Sequence, residues 1–103
     1  MGSNASKFVE KKLQDPGFRL AFAKARSKRI KRALAEAVKA ARIQLNISQI
    51  KLAKKVGTTQ SVISRIENPN IAYLASVNVL SRIAVALGAQ LEIAFVKNKS
   101  KAA

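Results

Sequence analysis

The chain has 103 residues, enough for one domain with an appendage and a single modest core. Twenty Lys and Arg against five Asp and Glu give a formal charge of +15, which points to a polyanionic partner: DNA, RNA or an anionic membrane surface. There is no cysteine and no histidine, so disulfides, thiolate or imidazole metal sites and imidazole acid–base catalysis are excluded.

The five acids (Glu10, Asp15, Glu36, Glu67 and Glu92) are too scattered for paired-carboxylate chemistry, and neither an enzyme nor a cofactor is expected. No apolar run approaches the ~20 residues of a membrane helix and no secretory signal is present, so the chain is expected in the cytoplasm, at the nucleoid if DNA is its partner. The alanine-rich, aromatic-poor composition favours helices packed through small residues.

Residues 1–5, Met-Gly-Ser-Asn-Ala, resemble an added leader and are set aside. Residues 6–32 read as a basic N-terminal helical segment, beginning with a short helix over 6–14 whose apolar contacts are Phe8, Val9 and Leu13. Asp15-Pro16 is a helix-start signal, an N-cap acid followed by proline at the first helical position. From Gly17 to Leu45 alanine, lysine and arginine dominate without an intervening proline, a strongly helical composition.

The apolar face of that helix does not run straight. Phe18, Phe22 and Ala25 line one face; Ile30, Leu34, Val38, Ala41 and Leu45 line another, rotated from the first by about 120–140°. The shift falls at residues 26–29. Either the backbone breaks there, or one helix serves two partners; two separately packed segments are favoured.

Asn46-Ile47 makes a turn. Residues 49–67 then read as two short amphipathic helices meeting at Gly57, where a left-handed backbone is needed. Ser48 and Thr59 stand at their N-caps. Leu52, Ala53, Val56, Ile63 and Ile66 supply the apolar positions, with Ala53 small where two helices must approach closely. Asn68-Pro69-Asn70 ends the second helix. Residues 71–75 form a loop, Ser76 caps a further helix with Val77, Leu80, Ile83, Ala84 and Leu87 inward, and Gly88 closes it. Residues 89–97 change period: Leu91, Ile93 and Phe95 alternate with polar or small neighbours, the signal of a short C-terminal β-strand. A lone strand needs an edge to pair with, so its partner should be a second copy or another protein; an extended tail packing Leu91 and Phe95 onto the helices is the alternative. Residues 98–103 read as a disordered basic tail.

The hairpin over 49–67 has the pattern of a helix-turn-helix DNA reader rather than of a generic helical hairpin. Its second helix exposes Gln60, Ser61, Ser64 and Arg65, side-chain types that hydrogen-bond base edges. Gln60 matches adenine N6 and N7, and Arg65 matches guanine O6 and N7, with a phosphate contact as the alternative for Arg65. Gln49, at the start of the preceding helix, is placed for a phosphate, as are Thr59, Lys51 and Lys54. The run Lys24, Arg26, Lys28, Arg29, Lys31 and Arg32 has three readings: phosphate contacts, led by Lys28 and Arg29, a dock for an acidic protein, or a solvated arm. Glu67, the sole acid between residues 37 and 91, is expected to form an ion pair with Arg42 that locks the recognition helix.

Arg42 to Leu45, Ser48-Gln49, Leu52 to Gln60 and Ile66-Glu67-Asn68 resemble the phage-repressor (lambda-like, XRE) helix-turn-helix family over roughly residues 38–88. The resemblance implies an all-α domain over 33–88 and a dimer on a near-palindromic double-stranded DNA operator. It also implies Gln49 on phosphate, Gln60 and Ser61 on bases, and an Arg42–Glu67 pair. Family members often carry Gln where Ser61 and Arg65 stand, which leaves the operator sequence open. Residues 13–19 before the motif, and 76–87 with 91–95 after it, resemble HigA-type antitoxins. That resemblance implies a repressor of its own toxin–antitoxin operon that also neutralises a RelE-like toxin. A free-standing prophage-type regulator, or a protein-neutralising module with secondary DNA binding, are the alternatives.

Overall fold

A computed structural model describes residues 3–97 and contains five helices and no strand among them. They are α1 (Ser3–Lys12), α2 (Pro16–Gln44), α3 (Gln49–Val56), α4 (Gln60–Glu67) and α5 (Val77–Ala86). Helix α1 begins inside the segment set aside as a leader and ends two residues short of the expected 14, so that Leu13 lies just beyond it. Met1, Gly2 and the tail over 98–103 lie outside the described residues.

Helix α2 starts where Asp15-Pro16 places it, with the Gly17 amide donating to Asp15 Oδ1 at 3.2 Å and the Arg19 amide to the Asp15 carbonyl at 2.9 Å. It then runs unbroken for 29 residues, so the backbone does not break at 26–29. The rotation of the apolar face there coincides instead with a division of the chain into two units, between Ser27 and Lys28. The first unit takes in the described residues up to Ser27 and from Ile93; within it the Phe18 and Phe22 rings meet at 6.0 Å and Lys12 lies over the Phe8 ring. The second unit, 28–92, is built from the C-terminal half of α2 with α3, α4 and α5.

The core of the second unit gathers one residue set from each helix. Val38 comes from α2, Leu52, Ala53 and Val56 from α3, Ile63 and Ile66 from α4, and Leu80 and Ile83 from α5, with Ala75 from the loop. Helix α3 packs against both α4 and α5. At eight residues each, α3 and α4 are too short to persist alone, so packing and caps hold them. Ser48 Oγ accepts from the Lys51 amide at 3.0 Å, Thr59 Oγ1 from the Val62 amide at 3.3 Å, and Ser76 Oγ from the Val79 amide at 3.2 Å. Gly57 closes α3 at φ +78°, its amide bonded to the carbonyls of Ala53 and Lys54. Only glycine occupies that region without strain.

Three expectations about packing fail. The buried stripe of α2 is Lys31, Ala35 and Val38, with Arg42 half-buried beside it, whereas Ile30 and Leu45 are exposed. Two anchored cations set this rotation of the helix, and Ala35, fully buried, allows a closer approach than the bulkier Ile30 would. Val77 points outward at the start of α5. Residues 89–97 form no strand: Leu91 packs against the core, but Ile93 and Phe95 are exposed. A strand is defined by its pairing, and the described residues of one chain offer 89–97 no edge to pair with.

Candidate nucleic-acid interface

Position along α4 determines what each of its residues meets. At about 100° per residue, Gln60, Ser64, Ser61 and Arg65 fall within one arc of about 140°. All four are exposed. The opposite arc carries Ile63, Ile66 and Glu67, all buried. The helix therefore presents one carboxamide, two hydroxyls and one guanidinium to solvent from a rigid base. Thr59 Oγ1 spends a lone pair on the Val62 amide and keeps its proton for an outside acceptor.

Behind this arc lies a polar chain that reaches the interior. Arg42 donates from Nε to Glu67 Oε2 at 2.7 Å and from Nη2 to Glu67 Oε1 at 3.0 Å, a bidentate pair, and from Nη1 to the Ile47 carbonyl at 2.9 Å. Gln49 Nε2 donates to Glu67 Oε1 at 3.1 Å, and Gln60 Nε2 donates to Gln49 Oε1 at 3.2 Å. Arg42 is held above the ordinary arginine pKa, first by its hydrogen bond to Glu67, against an opposing effect of burial. Arg42 therefore stays charged at every working pH. Along this relay the side chain of Gln60 is tethered to a buried carboxylate two residues away in the network. Its Oε1 and second N–H remain free, the donor–acceptor pair that adenine N6 and N7 require. Gln49, expected on a phosphate, has its carbonyl oxygen and one N–H engaged in the relay, leaving the other N–H for an outside acceptor.

The remaining expected contacts distribute as follows. Lys51 and Lys54 are exposed on α3, and Lys28 and Arg29 are exposed on α2. Arg65 sits with its guanidinium 5.8 Å from the Tyr73 ring centroid, so an aromatic face orients it in the free chain. Lys31 departs from the basic run altogether. It is 9% exposed, and its Nζ donates to the carbonyls of Arg65 at 2.9 Å and Ile66 at 2.8 Å, at the C-terminal end of α4. Burial pulls its pKa below the ordinary lysine value. Arg82 behaves alike on the neighbouring helix, donating from Nη1 to the Val56 carbonyl at 3.0 Å where α3 ends. Sequence reasoning missed both helix-end cations. The only signal was the spacing Lys31–Ala35–Val38–Arg42, a helical stripe disguised by the charge at its two ends.

A family model described as helix-turn-helix matches residues 38–93, just over half of the chain and all of α3, α4 and α5. The chain belongs to the XRE-type helix-turn-helix family. No curated protein and no solved structure gave a match. Membership makes the matched region a DNA-binding regulatory domain, with α3, Gly57 and α4 in the helix-turn-helix arrangement. No helix among the described residues is long and apolar enough to cross a membrane.

Proposed function

We propose that the chain is a sequence-specific transcriptional repressor that reads a near-palindromic DNA operator as a homodimer. Gln60, Ser61, Ser64 and Arg65 contact bases. Gln49, Thr59, Lys51, Lys54, Lys28 and Arg29 contact phosphates, and Arg42 with Glu67 holds the reading helix in place. The observation that carries this reading is the exposed polar arc of α4, tethered through Gln60 to the buried Arg42–Glu67 pair. A helix used only for packing has no need of such a tether on its solvent side. Two such helices in a dimer stand about 34 Å apart, one turn of DNA.

Homodimerisation draws support from the charge distribution. A chain of net charge +15 repels its own copies except where charge is scarce. From Pro69 to Leu91 the sole charged residue is Arg82, which is bonded to the Val56 carbonyl, and Ile71, Leu74, Val77 and Val85 are exposed there. Ile93 and Phe95, also exposed, remain available for pairing with a second copy or with another protein. The flank resemblance to HigA-type antitoxins supports a finer reading, in which the operon repressed is the chain's own and the second partner is a RelE-like toxin. A free-standing prophage-type regulator shares the DNA chemistry without that partner.

The test is capture of genomic fragments by the purified chain at ~150 mM salt, where purely electrostatic binding is weakened. A Gln60→Ala/Arg65→Ala variant is run in parallel. The proposal expects one enriched inverted repeat, absent with the variant, and a neighbouring toxin gene if the antitoxin reading is right. Equal, sequence-independent recovery by both proteins would refute it.

A further inference from the structure

Lys31 lies within a stretch of six cations in nine residues, which by charge alone reads as a surface for phosphate. Its side chain does something else. It crosses from α2 to the end of α4 and places one ammonium group on two successive carbonyls of the reading helix, at 2.9 and 2.8 Å. Those carbonyls belong to the last turn of α4. The helix ends before a regular i+4 amide can donate to them, the Asn68 amide reaching the Arg65 carbonyl only at 3.4 Å, and the helix dipole concentrates negative charge on them. The carboxylates of the second unit lie elsewhere: Glu67 is engaged by Arg42 and Gln49. Lys31 is therefore a buried cation neutralised by a helix end rather than by an acid.

The same carbonyl group that binds Lys31 belongs to Arg65, whose side chain stands on the reading arc. At the opposite end of α4 the relay from Glu67 through Gln49 tethers Gln60. Two cations of α2 thus anchor the C-terminal end of this eight-residue helix, Lys31 directly and Arg42 through Glu67, and the N-terminal end is tied to that anchor only through Gln49. Base readout through bidentate pairs depends on placement, since a hydrogen bond weakens steeply with angle and distance.

We propose that Lys31 is a specificity-determining positioning residue, which fixes the C-terminal end of the reading helix against α2 and never touches DNA. The inference rests on the DNA-reader function proposed above and names a residue that function does not include. It also separates Lys31 from Lys28, one turn earlier on α2 and exposed, for which phosphate contact is the assigned role.

The experiment compares wild type, Lys31→Met, Lys31→Gln and Lys28→Ala. Each is titrated against two duplexes, the best sequence selected by the wild type from a random library and a scrambled version of it, over a range of salt. A positioning residue predicts that Lys31→Met loses about tenfold or more on the selected duplex and little on the scrambled one, with the salt slope unchanged. Lys28→Ala should weaken both duplexes alike and lower the slope by about one. Should Lys31→Met fail to fold, Lys31→Gln, which keeps a donor of similar length, carries the same comparison with a smaller loss of preference.

Rescue supplies the second readout. The chain has no cysteine, so Lys31→Cys can be aminoethylated in denaturant at that one thiol and refolded, restoring an ammonium at nearly the native reach. Sequence preference should return with it. A salt slope reduced by about one in Lys31→Met, with equal losses on both duplexes, would overturn the inference in favour of a phosphate contact. Unchanged preference in Lys31→Met would overturn it outright while leaving the DNA-reader function standing. If the wild type itself selects no sequence, both fall.

Discussion

Replacing Glu67 by alanine removes the one acid on which the second unit's polar network converges. Three hydrogen bonds end on its carboxylate, at 2.7 and 3.0 Å from Arg42 and 3.1 Å from Gln49. The carboxylate side chain is 3% exposed and the guanidinium 13%. Removing one partner of a buried pair costs about 3–5 kcal/mol, because a buried charge is left uncompensated. Arg42 keeps its bond to the Ile47 carbonyl and some contact with water, so the lower end, about 3 kcal/mol, applies. For a domain of this size each kcal/mol lowers Tm by about 4–8 °C, so Glu67→Ala should melt about 12–24 °C below the wild type. Thermal melts followed by circular dichroism check this, together with Arg42→Ala and the double variant. The double variant should be less destabilised than the sum of the two single losses, by about 2 kcal/mol. The deficit should persist in ~1 M salt, since a buried pair is little screened. A shift of only a degree or two, or strictly additive losses, would refute the view that the pair locks the reading helix.

Other expectations follow from single contacts. Gly57→Ala forces a side chain into the left-handed region at φ +78°, where space is adequate but the backbone is not; about 1 kcal/mol and a fall in Tm of about 4–8 °C are expected by thermal melting. Ser48→Ala and Thr59→Ala each remove an N-cap and should cost about 1 kcal/mol in denaturant titrations, the shorter bond of Ser48 making its loss the larger. Lys31 has a folded-state pKa below its ordinary 10.5, so burial of its charge opposes folding while it is protonated and ceases to do so as pH rises through the lowered value towards 10.5. The stability of the wild type relative to Lys31→Met should accordingly increase over that alkaline window and be flat below it. A loss of wild-type stability relative to Lys31→Met with rising pH over that window would contradict the assigned environment.

What the sequence displayed, and what it concealed, follows from the range of each interaction. Caps, glycines and the apolar positions of α3 and α4 act over three or four residues, and each left a local signature at Ser48, Gly57, Thr59 and Ser76. The all-helical fold and the match over 38–93 rest on those signatures. The rotation of α2 was not local. It depends on Lys31 and Arg42 reaching α4 across 35 and 25 residues of chain, and no periodicity of apolar residues reports on a cation that is buried. Ile30 and Leu45 are large and apolar and so read as inward, while the close approach of α2 to the core requires Ala35. The alternation over 90–96 is real in the sequence, yet a strand is a property of two partners, and one chain supplies a single candidate. At the reading helix, exposure of Gln60, Ser61, Ser64 and Arg65 was legible from spacing. The tether from Gln60 through Gln49 to Glu67 was not, because it joins side chains 11 and 18 residues apart.

The most direct test of the central claim, that α4 reads base edges, is an affinity profile over every single-base substitution of the selected operator, measured for the wild type and for Gln60→Ala. The account predicts that the wild type loses about 1–3 kcal/mol at a few positions in each half-site, and that Gln60→Ala abolishes discrimination at one of these while leaving the others intact. Profiles of the same shape for both proteins, differing only by a uniform weakening, would contradict it.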